Sequence, residues 1–302
     1  MPIGKFFHLI HVVDDLDAAD EFYDRVFARQ RFMTHQWGEV EKRWATLGLI
    51  GDFMMETIEA SSDPADAAMP LSRFHARFGQ HLHSLSWYID DDYRVPLYRR
   101  LRELGIRVAR PGGGLFEGED EVGATLFTHP KDTHGLLEFQ AFDGRWGTYD
   151  PRFGEGWSDE FWRSGHPLGI DTPSHLTTAV ADLDRARLFY QDALGGHVFH
   201  EVVTDVARSA FVLVGVDTVV ELAEPHGPDS ALGHDLVANG ELPHSLTWRV
   251  LDLDAVQRHL ENAGVGVGAR AADTLTIDTA DAFGAVLSFT TGRIPGDPRD
   301  VP

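Results

Sequence analysis

The chain repeats itself, and this limits its possible folds more than any other feature of the sequence. The segment from His8 to Leu16 (HLIHVVDDL) returns from His175 to Leu183 (HLTTAVADL), and Phe22-Tyr23 returns as Phe189-Tyr190, all at a constant offset of 167 residues. Each copy opens with a run of apolar and β-branched residues, which reads as a strand. Asp15 and Asp182 then stand where a helix N-cap belongs, with further acid in the first turn. Leu16, Ala19, Phe22, Tyr23 and Phe27 follow helical spacing, as do Leu183, Ala186, Phe189, Tyr190 and Leu194, so each copy is a strand followed by an amphipathic helix.

A weaker copy lies inside each half. His83-Ser-Leu-Ser-Trp87 and His244-Ser-Leu-Thr-Trp248 share His-Ser-Leu-x-Trp. The first leads into a helix through Leu97, Leu101 and Leu104, the second into one through Val256 and Leu260. Gly105 and Gly264 follow them as C-terminal stops. Four strand–helix units result, each followed by short strand-like segments, which makes the class α+β rather than alternating α/β. The expected division is a first domain over 1–145, a linker over 146–169 and a second domain over 170–295. The linker contains Trp146, Trp157 and Trp162, so it is expected to pack on a domain.

Composition excludes several classes of function. Acidic residues outnumber basic ones, 48 to 26, for a formal charge of −22. Such a surface repels nucleic acid and anionic membranes. The one dense basic stretch, Arg94 to Arg110, reads as a solvated helix face. There is no cysteine, so a metal can be held only by His, Asp and Glu. The N-terminal run is broken by His8, His11 and Asp14 and lacks a signal-peptide pattern, and no segment is apolar enough to span a membrane. A cytoplasmic protein is the expectation.

Four polar residues interrupt otherwise apolar strands of the first half: His8, Glu56, His83 and Glu138. A buried carboxylate without a partner is costly. Two carboxylates and two imidazoles are explained together as ligands of one divalent cation, with Fe, Mn, Co, Ni and Zn all suited to such a donor set. The plain alternative is four separate polar residues on half-exposed strands. In the second half, His175, Glu221 and His244 occupy the matching places, but Ser288 stands where Glu138 would, leaving a two-His, one-carboxylate set as a second candidate metal site, of a kind that can hold non-haem iron or zinc. His35, Trp37 and Arg43 read as rim residues of the first pocket, and His197, His200 and Glu201 as rim residues of the second. His75, His81 and His129 read as loop histidines, with outer-sphere donors to the ligands as the alternative.

The repeated pattern His-x6-Asp-Leu-x5-Phe-Tyr, with Glu in a later strand, resembles the vicinal oxygen chelate superfamily. That group includes glyoxalase I, methylmalonyl-CoA epimerase, extradiol dioxygenases and bleomycin-resistance proteins. The resemblance covers nearly the whole chain and implies two tandem glyoxalase-like domains, each of two βαβββ modules forming a half-open barrel. It also implies His8, Glu56, His83 and Glu138 as the metal ligands. The stretch from His129 to Glu138 (HPKDTHGLLE) is similar to the epimerase segment leading to its last ligand. A metal-dependent enzyme is expected, moving a proton on a carbonyl substrate with vicinal oxygens, with Glu138 or Glu56 as base. The alternatives are an extradiol-type dioxygenase using Fe(II) and a non-catalytic binding protein. The expected partner is a small-molecule substrate, and a homodimer is compatible with it. Ligand count makes the first domain the expected catalytic one.

Overall fold

The computed structural model describes residues 3–300. Its first half runs β1 (Ile3–Val12), α1 (Leu16–Phe27), β2 (Gln30–Gly38), β3 (Arg43–Ile50), β4 (Phe53–Ala60), α2 (Pro70–Phe78), β5 (His81–Asp90), α3 (Arg94–Glu103), β6 (Val108–Ala109), β7 (Thr125–Thr128) and β8 (Leu137–Phe142). After α4 (Trp146–Tyr149), the second half runs β9 (Ile170–Ala179), α5 (Leu183–Leu194), β10 (His197–Val203), β11 (Ala207–Val214), β12 (Thr218–Pro225), α6 (Ala231–Asn239), β13 (Pro243–Val250), α7 (Leu253–Asn262), β14 (Val267–Arg270), β15 (Thr274–Ile277) and β16 (Val286–Thr290). Each half is therefore two βαβββ modules with a short helix, α2 or α6, between them.

The two sheets have the same plan. The strand order is β2-β3-β4-β1-β5-β8-β7-β6 in one and β10-β11-β12-β9-β13-β16-β15-β14 in the other. Within a half, the modules join through the antiparallel β1–β5 or β9–β13 pair, while β1–β4 and β5–β8 run parallel. The first strands of both modules thus lie side by side at the centre of the sheet. This is why a histidine early in β1 and a carboxylate in β8 can approach each other across one face.

Local sequence explains the elements. The Asp15 side chain accepts from the Ala18 N–H and that of Asp182 from the Arg185 N–H, so both are N-caps as expected. Gly105 and Gly264 take the left-handed conformation, φ 77° and 68°, just beyond α3 and α7. Several arginines around α3 have ion-pair partners, Arg99 with Glu119, Arg107 with Asp132 and Arg110 with Glu121, while Arg100 donates to the Asp192 carbonyl of the second half. No helix of the described residues is long and apolar enough to cross a membrane.

The halves share one core. Trp248 stands edge-on to Phe53 at 5.2 Å, and Phe27 stacks on Phe289 at 6.0 Å. The segment before β9 is packed as its tryptophans suggested: Trp162 is buried and its indole N–H donates to the Phe27 carbonyl at 2.9 Å. At Gly215 the halves come so close that an added Cβ would lie 2.1 Å from the Gly4 carbonyl oxygen, and φ is +65° there as well.

His11 is a buried tie between the halves. Its Nε2–H donates to the Phe283 carbonyl at 2.9 Å, and its Nδ1 accepts from the Tyr23 hydroxyl at 2.8 Å. Burial pushes its pKa down to about 4. The folded pKa lies below the unfolded value, so the unfolded chain takes up the proton first. Stability is then fully present above pH ~6.5 and falls as pH drops towards 4, by up to roughly 3 kcal/mol from this residue. Urea unfolding at several pH values should show that decline, and His11→Gln should flatten it. An unchanged slope in the variant would assign the acid sensitivity to other groups.

Candidate metal and substrate site

A cavity of about 210 Å³ opens on the face of the first sheet. Its polar base is built from β1, β4 and β8, which supply His8, Glu56 and Glu138, all buried. Aromatic side chains, among them Phe7, Trp37, Phe127 and Trp146, wall it. Gln36, Glu41, Arg43, Thr125 and Gln140 complete its polar lining.

His8 lies between the two carboxylates. Its Nε2 is 3.1 Å from Glu138 Oε2, and its Nδ1 is 3.3 Å from Glu56 Oε2. The second contact is misaligned, so His8 Nδ1 and Glu56 Oε2 are both buried without a hydrogen-bond partner. Burial disfavours the charged imidazole, yet the nearby Glu138 and Glu56 outweigh it and raise the His8 pKa. The Arg43 guanidinium donates to Glu56 Oε1 at 2.8 Å and to Glu41 Oε2 at 3.1 Å. Glu41 is pushed upward, mainly by burial and with Arg43 opposing, so it holds a proton more readily than an ordinary glutamate.

These residues fit a divalent cation in their chemistry. Buried, unsatisfied donor atoms call for a partner, and two carboxylates with an imidazole form a suitable donor set. The arrangement is not yet a coordination sphere. Among the described residues, no three His, Asp or Glu side chains stand ready around one point. His8 turns one ring nitrogen to each carboxylate, so a shared ion requires the ring or Glu56 to rotate.

The fourth expected ligand is set apart. His83 has its Nδ1 on the Ser84 hydroxyl at 3.0 Å, and its ring is edge-on to Phe74 of α2 at 4.4 Å. Burial, with Arg43 and His8 nearby, lowers its pKa to about 3, so it is a neutral imidazole. Among the described residues, no hydrogen bond or ion pair joins it to the other three.

The remaining expected residues are placed as follows. Trp37 and Arg43 line the cavity, whereas His35 pairs with Asp17 at 3.0 Å. His75 pairs with Asp14, His81 reaches Asp235 of the second half at 3.2 Å, and His129 Nδ1 accepts from the Lys131 N–H. None of these three touches a candidate ligand. Glu41 was not foreseen at all. Its only sequence signal is its place in an acidic turn between β2 and β3, where nothing separates it from Glu39.

The second half carries the matching residues in a different state. His175 Nε2 is 3.6 Å from Glu221 Oε2, and Glu221 accepts from the Thr177 hydroxyl at 2.7 Å. His244 Nδ1 is bound to Asp235 at 2.6 Å, and the Ser288 hydroxyl pairs with that of Thr276 at 2.9 Å. His244 and Ser288 are thus committed to partners outside the set, whereas His175 still faces Glu221. His197, His200 and Glu201 lie on β10, with Glu201 paired to Arg187 at 3.1 Å.

Comparison with known proteins agrees with this architecture. Residues 174–276 match the model of the Glyoxalase/Bleomycin resistance protein/Dioxygenase superfamily. A 4-hydroxymandelate synthase from Streptomyces coelicolor, solved as a triple mutant, is similar over 95% of this chain and 92% of its own, with a TM-score of 0.66 at 13% identity. That likeness shows the tandem fold. The mitochondrial methylmalonyl-CoA epimerase of Bos taurus is 26% identical over 125 residues, 38% of this chain and 71% of the relative. A solved methylmalonyl-CoA epimerase from Mycobacterium tuberculosis is 30% identical over 40% of this chain and 87% of that one, with a TM-score of 0.38. Repeat, fold and comparison converge: the chain belongs to the glyoxalase, bleomycin resistance and dioxygenase superfamily, as two glyoxalase-like domains in tandem.

Proposed function

We propose that the chain is a metal-dependent enzyme that moves a proton on a small carbonyl substrate with vicinal oxygens, in the cavity of its first half. The observation that carries this reading is the buried His8–Glu56–Glu138 cluster with unsatisfied donor atoms at the base of that cavity. A divalent ion (Fe, Mn, Co, Ni or Zn) held by His8, Glu56 and Glu138, with His83 as the fourth candidate, would polarise the carbonyl and acidify the neighbouring C–H.

The chain's own residues supply the rest. Glu41 is a half-buried carboxylate at the cavity wall, and burial raises its pKa, the direction that strengthens a carboxylate as a proton acceptor. It therefore precedes Glu56 and Glu138 as the candidate base, because those two lie in the donor cluster. Arg43 pairs with both Glu56 and Glu41 and holds the two carboxylates at the cavity. The aromatic walls exclude water from the reacting carbon. Two relatives bear the name epimerase, which supports proton transfer over oxygen insertion. A ring-cleaving dioxygenase in the second half would lack the carboxylate that Ser288 replaces.

Protein purified without chelator should carry about one equivalent of metal. In D2O it should exchange the α-proton of small 2-oxo acids or acyl thioesters. Glu41→Gln should slow that exchange by ~10²–10⁴-fold while keeping the metal. Wild-type exchange rates in the variant would remove Glu41 from the mechanism. Failure of all five metals to bind the wild type would sink the metal reading.

A further inference from the structure

The tripeptide Asp-Pro-Arg occurs as Asp150-Pro151-Arg152 after β8 and as Asp297-Pro298-Arg299 after β16. Both copies form a short 3₁₀ turn, and both arginines fold back on their own aspartate. Arg152 Nη2 is 2.6 Å from Asp150 Oδ2 with Nε 3.0 Å from Oδ1, and Arg299 Nη2 is 2.7 Å from Asp297 Oδ2 with Nε 3.0 Å from Oδ1. The forks then reach equivalent main-chain acceptors. Arg152 donates to the carbonyls of Phe7 and Asp52, each at 3.3 Å. Arg299 donates to those of Ser174 at 2.6 Å and Asp217 at 3.1 Å, and to Pro173 at 3.0 Å. Each clasp thus grips the central first strand of its half at the residue just before a candidate ligand, His8 or His175.

The first clasp is wired into the cavity. Phe7, whose carbonyl it holds, stacks its ring on His8 at 4.0 Å and 29°. Trp146 stands edge-on to Phe7 at 4.6 Å and lines the same cavity, four residues before Asp150. The Tyr88 hydroxyl donates to Asp150 Oδ2 at 3.2 Å, the oxygen that Arg152 Nη2 also binds. Both charged side chains of the pair are fully enclosed. A buried ion pair is a poor source of net stability, because desolvation offsets attraction, but it fixes geometry when its donors are all used.

We infer that the Asp150–Arg152 clasp positions the site: by holding the Phe7 main chain and the segment that carries Trp146, it sets the His8 ring and one wall of the cavity. Arg152 is a positioning residue and touches no substrate. It acts in the same way as partners that orient metal-binding histidines from behind. Arg299 makes the same contacts at the other half and serves as an internal control for purely structural damage.

The metal arm of the test rests on the function proposed above, and a second arm does not. In full-length protein, Arg152→Gln should raise the Co2+ dissociation constant by ~10-fold or more, while Arg299→Gln leaves it within about twofold. Both variants are expected to melt earlier than wild type, which a structural role alone also predicts. In metal-free protein, the Trp146 indole N–H signal and the His8 ring 15N signals should shift in Arg152→Gln and stay in place in Arg299→Gln. Arg152→Lys keeps the charge without the planar fork, so it should shift the same signals, and it replaces Arg152→Gln if that variant does not fold. Equal effects of the Arg152 and Arg299 variants on Co2+ affinity, or unmoved Trp146 and His8 signals, would overturn the inference. If wild type takes up no Co2+, the metal reading falls, and the spectra alone decide the role of the clasp.

Discussion

His8→Ala is expected to abolish metal uptake and turnover, and His175→Ala to leave both nearly unchanged. Loss of a ligand should exceed the ~10–100-fold that removal of an outer partner costs. The difference arises from how each half spends its polar groups. His8 stands between two buried carboxylates with one ring nitrogen unsatisfied, in front of a cavity. His175 faces one carboxylate that a threonine already binds, its partner His244 is held by Asp235, and the fourth position is Ser288 paired with Thr276. Metal content and turnover should be measured on the two variants in parallel. If His175→Ala loses turnover and His8→Ala keeps it, the catalytic half is the second one, and oxygen chemistry moves ahead of proton transfer.

Much of the fold was legible because the repeat forces it. Two copies of a strand, an Asp cap and an amphipathic helix at one offset leave few ways to fold, and the caps form as the residues dictate. The candidate cluster was legible for a related reason. His8, Glu56 and Glu138 each break an apolar strand, and burial of a polar group in a strand requires a partner on the same face. The position of His83 was less legible. The β1–β5 pairing changes register between Leu9 and His11, so simple alternation does not say which way a nearby side chain turns. What packs on His83 is Phe74, from a short helix with little sequence signal of its own.

The clasp and Glu41 escaped for other reasons. Asp150 and Asp297 are 147 residues apart, not 167, because the first half is the longer between its landmarks: His83 and His244 are already 161 apart, and Glu138 and Ser288 are 150 apart. A search at constant offset passes over them. Glu41 differs from Glu39 only in three dimensions: the turn between β2 and β3 sends one carboxylate to the cavity and leaves the other on Lys42 and Trp37 at the surface. Contacts between the halves, such as His81 with Asp235 or His134 with Glu241 at 2.7 Å, join residues more than a hundred positions apart and leave no periodic trace.

Trp248→Ala should destabilise the whole chain by ~3–5 kcal/mol, the range for truncating a large aromatic in a packed core. Trp248 is fully buried, and its aromatic ring neighbours come from the other half: Phe53 at 5.2 Å and Phe27 at 6.2 Å. Its repeat counterpart Trp87 packs on the Phe6 and Phe139 rings of its own half, with its edge near Gly215 of the second. The indole N–H of Trp248 has no hydrogen-bond partner, so its removal forfeits packing and leaves no acceptor stranded. Most of the loss should therefore appear as cavity and transfer cost, and Trp248→Phe should recover much of it. Because the ring bridges the halves, the urea transition should move to lower concentration for signals from both, including the Trp146 region of the first half. If that region keeps its wild-type midpoint while the second half unfolds early, the two domains are separate cooperative units and the shared core does not couple them.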